Sequence, residues 1–189
     1  MTIEIMISIC LGVGLAASSG FRVFVPLFVV SVAAFFGVLP LSENWLWLGS
    51  TAALVILAVA SLVESVSYLV PIVDNALDAI AVPLAGLAGT IVMASSLTEL
   101  SPAMAWALAI VAGGGAATAV KTTAAATRAV STITTAGVAN PVVSVAETGT
   151  SLVLSILAVF APVAAAVVAV LLAMMLLWLL FKFKRSAKR

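Results

Sequence analysis

Glu64-Ser-Val-Ser-Tyr-Leu-Val-Pro-Ile-Val-Asp-Asn-Ala-Leu-Asp-Ala-Ile-Ala-Val-Pro83 is the stretch on which the reading of this chain turns. It sets three carboxylates, Glu64, Asp74 and Asp78, between long apolar runs, where a charge is costly unless a partner or water meets it. The chain's apolar runs exceed the roughly 20 residues that cross hydrocarbon, and several follow in succession. The 189 residues are 65% hydrophobic and 8% charged, with a mean hydropathy of +1.36. A soluble domain carries about a quarter charged residues, so this chain lacks the polar surface to face water on every side. Its apolar residues are continuous rather than alternating, which favours helices over a barrel. The expectation is an all-α, polytopic transmembrane helical bundle of six to seven membrane helices in a single domain.

Upstream, Ile3 to Gly37 is apolar but about 50 Å long if wholly helical, too long for one crossing. Ser18-Ser19-Gly20-Phe21-Arg22 interrupts it, and Pro26 biases Val25 away from helix. The spacing predicts a helix to about Ser18, a bend bearing Arg22 and a second helix from about Pro26. This N-terminal segment is then either two short crossings or one broken, re-entrant piece. Leu15-Ala16-Ala17-Ser18 has the small residues of a cleavage site, but no Lys or Arg precedes it, so a retained membrane helix is expected. Trp45 and Trp47 follow a short loop bearing Glu43, at the place of an interfacial aromatic belt. Leu46 to Val70 reads as a crossing with Glu64 in its last two turns, Pro71 to Asn75 as a turn, and Asp78 to Leu97 as the next crossing.

Downstream, a helix from Ala103 carries Trp106 and runs into Gly113, Gly114 and Gly115, roughly 16 Å along and near the bilayer midplane. The triplet reads either as a helix break facing a site or as a tight helix crossing. Beyond it, Thr118, Lys121, Ala125, Arg128, Thr132 and Thr135 share one helical stripe, suited to helix packing or a wet cavity. Gly137 to Pro141 reads as a turn, Val142 to Phe160 as a crossing with Glu147 near its start, and Val163 to Phe181 as the last. The basic tail, 182–189, marks a cytoplasmic C-terminus and an anionic-lipid anchor rather than a nucleic-acid binder. Counting back places Glu43, Glu99 and Pro162 outside. The N-terminus lies inside for six crossings and outside for seven.

The charged residues within this frame carry the functional reading. Asp74 and Asp78 fit the start of a helix, with Asp74 as N-cap, or, with Asn75, an oxygen-rich cation or proton site at an inner mouth. Glu64 and Glu147 share a Ser-x-x-Glu-[Ser/Thr] context, Ser61 to Ser65 and Ser144 to Thr148. Gly14 before Arg22 parallels Gly114 before Lys121. Both hint at a weak internal repeat, with halves 1–97 and 98–181. Ion pairing with Arg22, Lys121 or Arg128 is the structural alternative for both glutamates. The absence of histidine and the single cysteine, Cys10, exclude imidazole metal sites, an intrachain disulfide and the usual proton relay. No hydrolase, nucleotide-binding or metalloprotease motif is present, so neither enzyme activity nor a cofactor is expected.

The leading expectation is a small transporter or channel for an ion or small solute, embedded in a lipid bilayer as a homo-oligomer. Arg22, Glu64, Lys121 and Glu147 would line its pathway, and Asp74, Asn75, Asp78 and Arg128 its cytoplasmic mouth. The alternatives are a structural or assembly protein with ion pairs fixing helix register, and a lipid-handling protein using Tyr68 and the tail.

Gly-Leu-Ala-Ala-Ser-Ser-Gly-Phe-Arg-Val-Phe-Val-Pro (14–26), Pro-Ile-Val-Asp-Asn-Ala-Leu-Asp-Ala-Ile-Ala-Val-Pro (71–83), the glycine triplet and Gly-Val-Ala-Asn-Pro-Val-Val-Ser-Val-Ala-Glu (137–147) resemble a bacterial integral-membrane family catalogued as domain-of-unknown-function family 4126. The likeness covers nearly the whole chain. It implies a bacterial inner-membrane protein and supplies no activity. Trimeric intracellular cation channels and DedA-type lipid-carrier transporters are similar only in general features, so no site is carried over from either.

Overall fold

The computed structural model describes residues 3–186, leaving aside the side chains of 71–76, 79, 176, 177 and 179–186. It is built from α1 (Ile3–Phe21), α2 (Phe24–Phe35), a 3-10 segment (Glu43–Gly49), α3 (Thr51–Ser67), α4 (Pro71–Ser96), α5 (Pro102–Leu108), a π turn (Ala109–Gly114), α6 (Gly115–Thr135), α7 (Asn140–Phe160) and α8 (Pro162–Ser186). There is no strand among the described residues. Pro71, Pro102 and Pro162 each open a helix, where a missing N–H costs nothing and φ is already helical. At its other end α6 stops at Ala136 and Gly137, both with positive φ, of 52° and 83°.

α1 is the central helix, packed by α4, α6, α7 and α8. Its second half, from Leu11, is almost wholly buried, and small residues let the neighbours approach. Gly12 lies against Met93 and Ser96 of α4, Gly14 against Ala158 and Ala165, and Gly20 against Ala117 and Val120. Ser18 Oγ donates to the Ser151 carbonyl at 2.7 Å, and Ser151 Oγ donates back to the Ser18 carbonyl at 3.1 Å. These contacts run α1 parallel to α6 and antiparallel to α4 and α7. α2 and α3 form an antiparallel pair beside this core, tied by Ser31 Oγ donating to the Leu48 carbonyl at 2.6 Å.

α1 continues to Phe21, three residues past the expected end, because its serines bond within the bundle instead of ending the helix. Ser19 Oγ returns to the Leu15 carbonyl at 3.0 Å. Pro26 is the third residue of α2, within the first turn where proline is tolerated. The crossing expected from Leu46 is bent by 66° between the 3-10 segment and α3, with Ser50 Oγ accepting from Ala53 N–H at 3.2 Å. Trp45 stacks between Trp47 and Trp106 at this end, centroids 6.3 and 6.0 Å away.

Among the described residues, Ile3–Phe21, Pro102–Thr135 and Asn140–Phe160 are long and apolar enough to cross a membrane, and the bent pair makes up to four. Phe24–Phe35, Ile80–Ser96 and Pro162–Met175 are shorter apolar helices. The lateral face of α3 exposes Val55, Ile56, Val59, Leu62, Val63 and Val66. Such apolar helices with apolar exteriors suggest a membrane-embedded protein.

The glycine triplet does not break its helix. The chain passes through one π turn and continues, so the half-helix end expected at the midplane is absent; Gly113 and Gly114 serve close packing on α4. A Cβ on Gly89 would lie 2.6 Å from the Gly113 carbonyl oxygen, and one on Gly113 equally close to that of Gly89. Gly115, in contrast, faces open space. Gly89→Ala is therefore expected to cost about 1–3 kcal/mol through overpacking. Gly115→Ala is expected to be neutral or to stabilise by up to about 1 kcal/mol. Thermal unfolding of the two variants in detergent checks this contrast.

Candidate functional site

The helices bring their charges to one level. Asp78 lies seven residues into α4, Glu147 seven into α7, and Arg128 seven before the end of α6, each about 10 Å inside the same end of the bundle. Arg22 occupies the break between α1 and α2, and Tyr68 follows the last residue of α3. All three cations, Arg22, Lys121 and Arg128, are at most 2% exposed.

Tyr68 is the hub. Its ring centroid lies 4.1 Å from Arg22 Cζ, 4.6 Å from Arg128 Cζ and 4.8 Å from Lys121 Nζ, so three desolvated cations share one aromatic ring. Lys121 Nζ also donates to the Tyr68 hydroxyl at 3.2 Å. Every nitrogen of the Arg22 fork reaches α7: Nη1 donates to Glu147 Oε2 at 3.0 Å, Nε to Thr148 Oγ1 at 2.9 Å, and Nη2 to the Ser144 carbonyl at 2.9 Å, while Nη1 also lies 3.4 Å from the Phe21 carbonyl. Arg128 Nη2 donates to the same oxygen of Glu147, and Arg128 Nη1 lies 3.4 Å from Asp78 Oδ1. Asp78 Oδ1 is also 3.8 Å from Lys121 Nζ. Ser144 Oγ donates to the Tyr68 carbonyl at 2.9 Å, locking α7 to the end of α3. The cluster thus joins α1, α4, α6 and α7 through the tyrosine that follows α3.

Glu64 lies beside it, near enough to Arg22 and Lys121 to feel their charge, but the alternative of a direct ion pair with Arg22, Lys121 or Arg128 is not found among the described residues. Instead its two oxygens accept the N–H groups of Val23, at 2.8 Å, and Phe24, at 2.9 Å. These are donors at the start of α2, and no side chain of α2's own N-cap residue, Val23, meets them. A carboxylate from the next helix therefore serves as the N-cap. The two glutamates of the Ser-x-x-Glu context do different work, one capping a helix and the other joining two arginines.

Asp78 is likewise not a helix-start residue, because α4 begins at Pro71. Asp74 is the fourth residue of that helix rather than its N-cap, and the side chains of Asp74 and Asn75 lie outside the described residues. Along the α6 stripe, Lys121 and Arg128 turn inward to the cluster, while Thr132 Oγ1 accepts from Asn140 Nδ2 at 2.9 Å. The sequence reading missed Tyr68 as the organising residue. Its spacing of four from Glu64, which puts both on one face of α3's last turn, was the available signal.

Two clefts flank the cluster. One, of about 300 Å³, lies between α3 and α4 and reaches Glu64 and Tyr68. The other, of about 190 Å³, lies among α6, α7 and α8 and reaches Glu147. Among the described residues no three His, Cys, Asp or Glu side chains come together to hold a metal.

A family model described as Domain of unknown function (DUF4126) matches residues 9–182. No curated protein and no solved structure matches the chain.

Proposed function

We propose that this chain, which belongs to the DUF4126 family, is a carrier-type transporter of a small charged solute in a bacterial inner membrane. It acts by moving charge rather than by catalysing a reaction. α1, α2, α3, α4, α5–α6, α7 and α8 make seven passages of alternating direction. The N-terminus lies outside, and the charge cluster lies toward the cytoplasm with the basic tail.

One observation carries the reading: three buried cations converge on Tyr68 and are held by carboxylates from α4 and α7. Ionisable groups at membrane depth cost at least about 2.5 kcal/mol each and are typical of ion and substrate pathways. A solute ion reaching the cluster exchanges with one of its members, and the freed contact lets helices shift between two arrangements. α1 itself occupies the centre of the bundle, with Leu15, Ala16 and Ser18 fully buried, which favours such an exchange over a standing pore.

In proteoliposomes the wild type is expected to move a charged solute. Glu147→Gln is expected to slow that flux at least about tenfold, the worth of one charge-assisted hydrogen bond, with the helical fold retained. Equal fluxes for the two proteins across cations, anions and amphiphiles would overturn the proposal.

The saturated fork of Arg22 favours a second reading, in which the cluster only fixes helix register. That reading expects no flux from the wild type and impaired folding on loss of any member.

A further inference from the structure

We infer that the cleft between α3 and α4 binds a small hydrophobic monocation, with Glu64 as its counter-charge. α3 packs on α2 and leaves a gap toward α4, the next helix in the chain. The gap has a volume of about 300 Å³, in the range of small-molecule sites. Val23, Phe24, Ala60, Val63, Leu77 and Leu84 give it an apolar lining. Its rim residues Val63, Ile80 and Leu84 are exposed on the lateral face of the bundle, so a hydrophobic ligand reaches it from the surrounding apolar phase.

Charge decides the ligand class. Among the described residues Glu64 is the charged one that lines the cleft, and it is 8% exposed. Glu147 holds Arg22 and Arg128, while Asp78 and the Tyr68 hydroxyl hold Lys121. Glu64, among the described residues, makes no direct ion pair and accepts two backbone N–H groups, with Arg22 and Lys121 as its more distant cations. Each carboxylate oxygen has a second lone-pair direction, so acceptor capacity remains after both bonds. A cation with an apolar body satisfies that capacity, and its body replaces water along the lining. The Phe24 side chain at the same wall adds an aromatic surface. An anionic amphiphile would bring like charge against Glu64 in a low-dielectric setting, which is unfavourable.

The inference deepens the transport proposal by naming a substrate class, but the binding site stands or falls by itself. Tetraphenylphosphonium and tetraphenylborate, ions of nearly the same shape and opposite charge, serve as probes of the purified full chain in neutral detergent. Equilibrium binding is expected to be saturable for the phosphonium, with about one site per chain. Glu64→Gln should weaken it at least about tenfold. Ala60→Phe, which fills the cleft while leaving Glu64 and its two N–H contacts in place, should abolish it. Tetraphenylborate should show no binding that depends on Glu64. If Glu64→Gln does not fold, Ala60→Phe decides the question. Phosphonium binding unchanged by Ala60→Phe, or borate binding with the same dependence, would overturn the inference. Saturable, Glu64-dependent binding without any flux would refute the transport proposal and leave the site standing.

Discussion

Replacing Arg22 by alanine is expected to destabilise the protein by about 3–5 kcal/mol, the cost of removing one partner from a buried ion pair. Arg22 is fully buried and gives three hydrogen bonds to α7, beside a longer one to the Phe21 carbonyl, so the loss falls mainly on the contact between the α1–α2 break and α7. It also strips the Tyr68 ring of its nearest cation. Arg22→Lys keeps the charge but not the planar fork, and a single ammonium cannot reach Glu147, Thr148 and the Ser144 carbonyl in the same geometry. That variant is expected to lose about 1.5–3 kcal/mol, roughly one charged hydrogen bond. The pair Arg22→Met with Glu147→Gln should recover only part of the loss. An isolated ion pair can be replaced by apolar groups at little cost. Here, however, Glu147 also holds Arg128, which the double variant would deprive of one of its carboxylates. Thermal or denaturant unfolding in detergent across the four proteins checks the order, and a neutral Arg22→Ala would contradict it.

Tyr68→Ala is expected to cost about 3–5 kcal/mol, as for other buried aromatics truncated to alanine. The ring is 3% exposed and supplies the shared face for three cations, so its loss opens a cavity and brings those charges together without a screen. Tyr68→Phe retains the ring and removes only the hydroxyl that accepts from Lys121. Its expected cost is about 1–2 kcal/mol, one hydrogen bond to a charged donor. The gap between the two variants measures the ring itself. If Phe were as damaging as Ala, the hydroxyl and not the cation–π contacts would organise the cluster. Such variants should be compared in the same detergent and salt, although screening by salt acts weakly on buried charge.

Several features of this protein were present in the residues themselves. Continuous apolar runs and a scarcity of charge dictate buried helices, because a backbone without water must satisfy its own hydrogen bonds. The prolines at 71, 102 and 162 set helix starts by local sterics, and the interruption at Arg22 was visible in its serines, glycine and nearby Pro26. The pairing of Glu147 with Arg22 and Arg128 was among the alternatives, since a buried acid and a buried base seek each other. Local sequence also held an unread demand. No Ser, Thr, Asp or Asn stands between Phe21 and Phe24, so the donors that open α2 had to be met from elsewhere.

What met them was a tertiary matter. Only the packing of α3 against α2 brings Glu64, some forty residues on, to the Val23 and Phe24 N–H groups, and so makes it the cap of α2 as well as a candidate for coupling. Only the close approach of α4 to the π turn shows that Gly113 and Gly114 let two backbones meet instead of breaking a helix. The convergence on Tyr68 is likewise invisible in one dimension. Its cations come from three different segments, and the position of each depends on where its helix starts or ends relative to the others. Periodicity and composition determine which residues leave water. Which of them meet is decided by helix register, a property of the packed bundle and not of any single run.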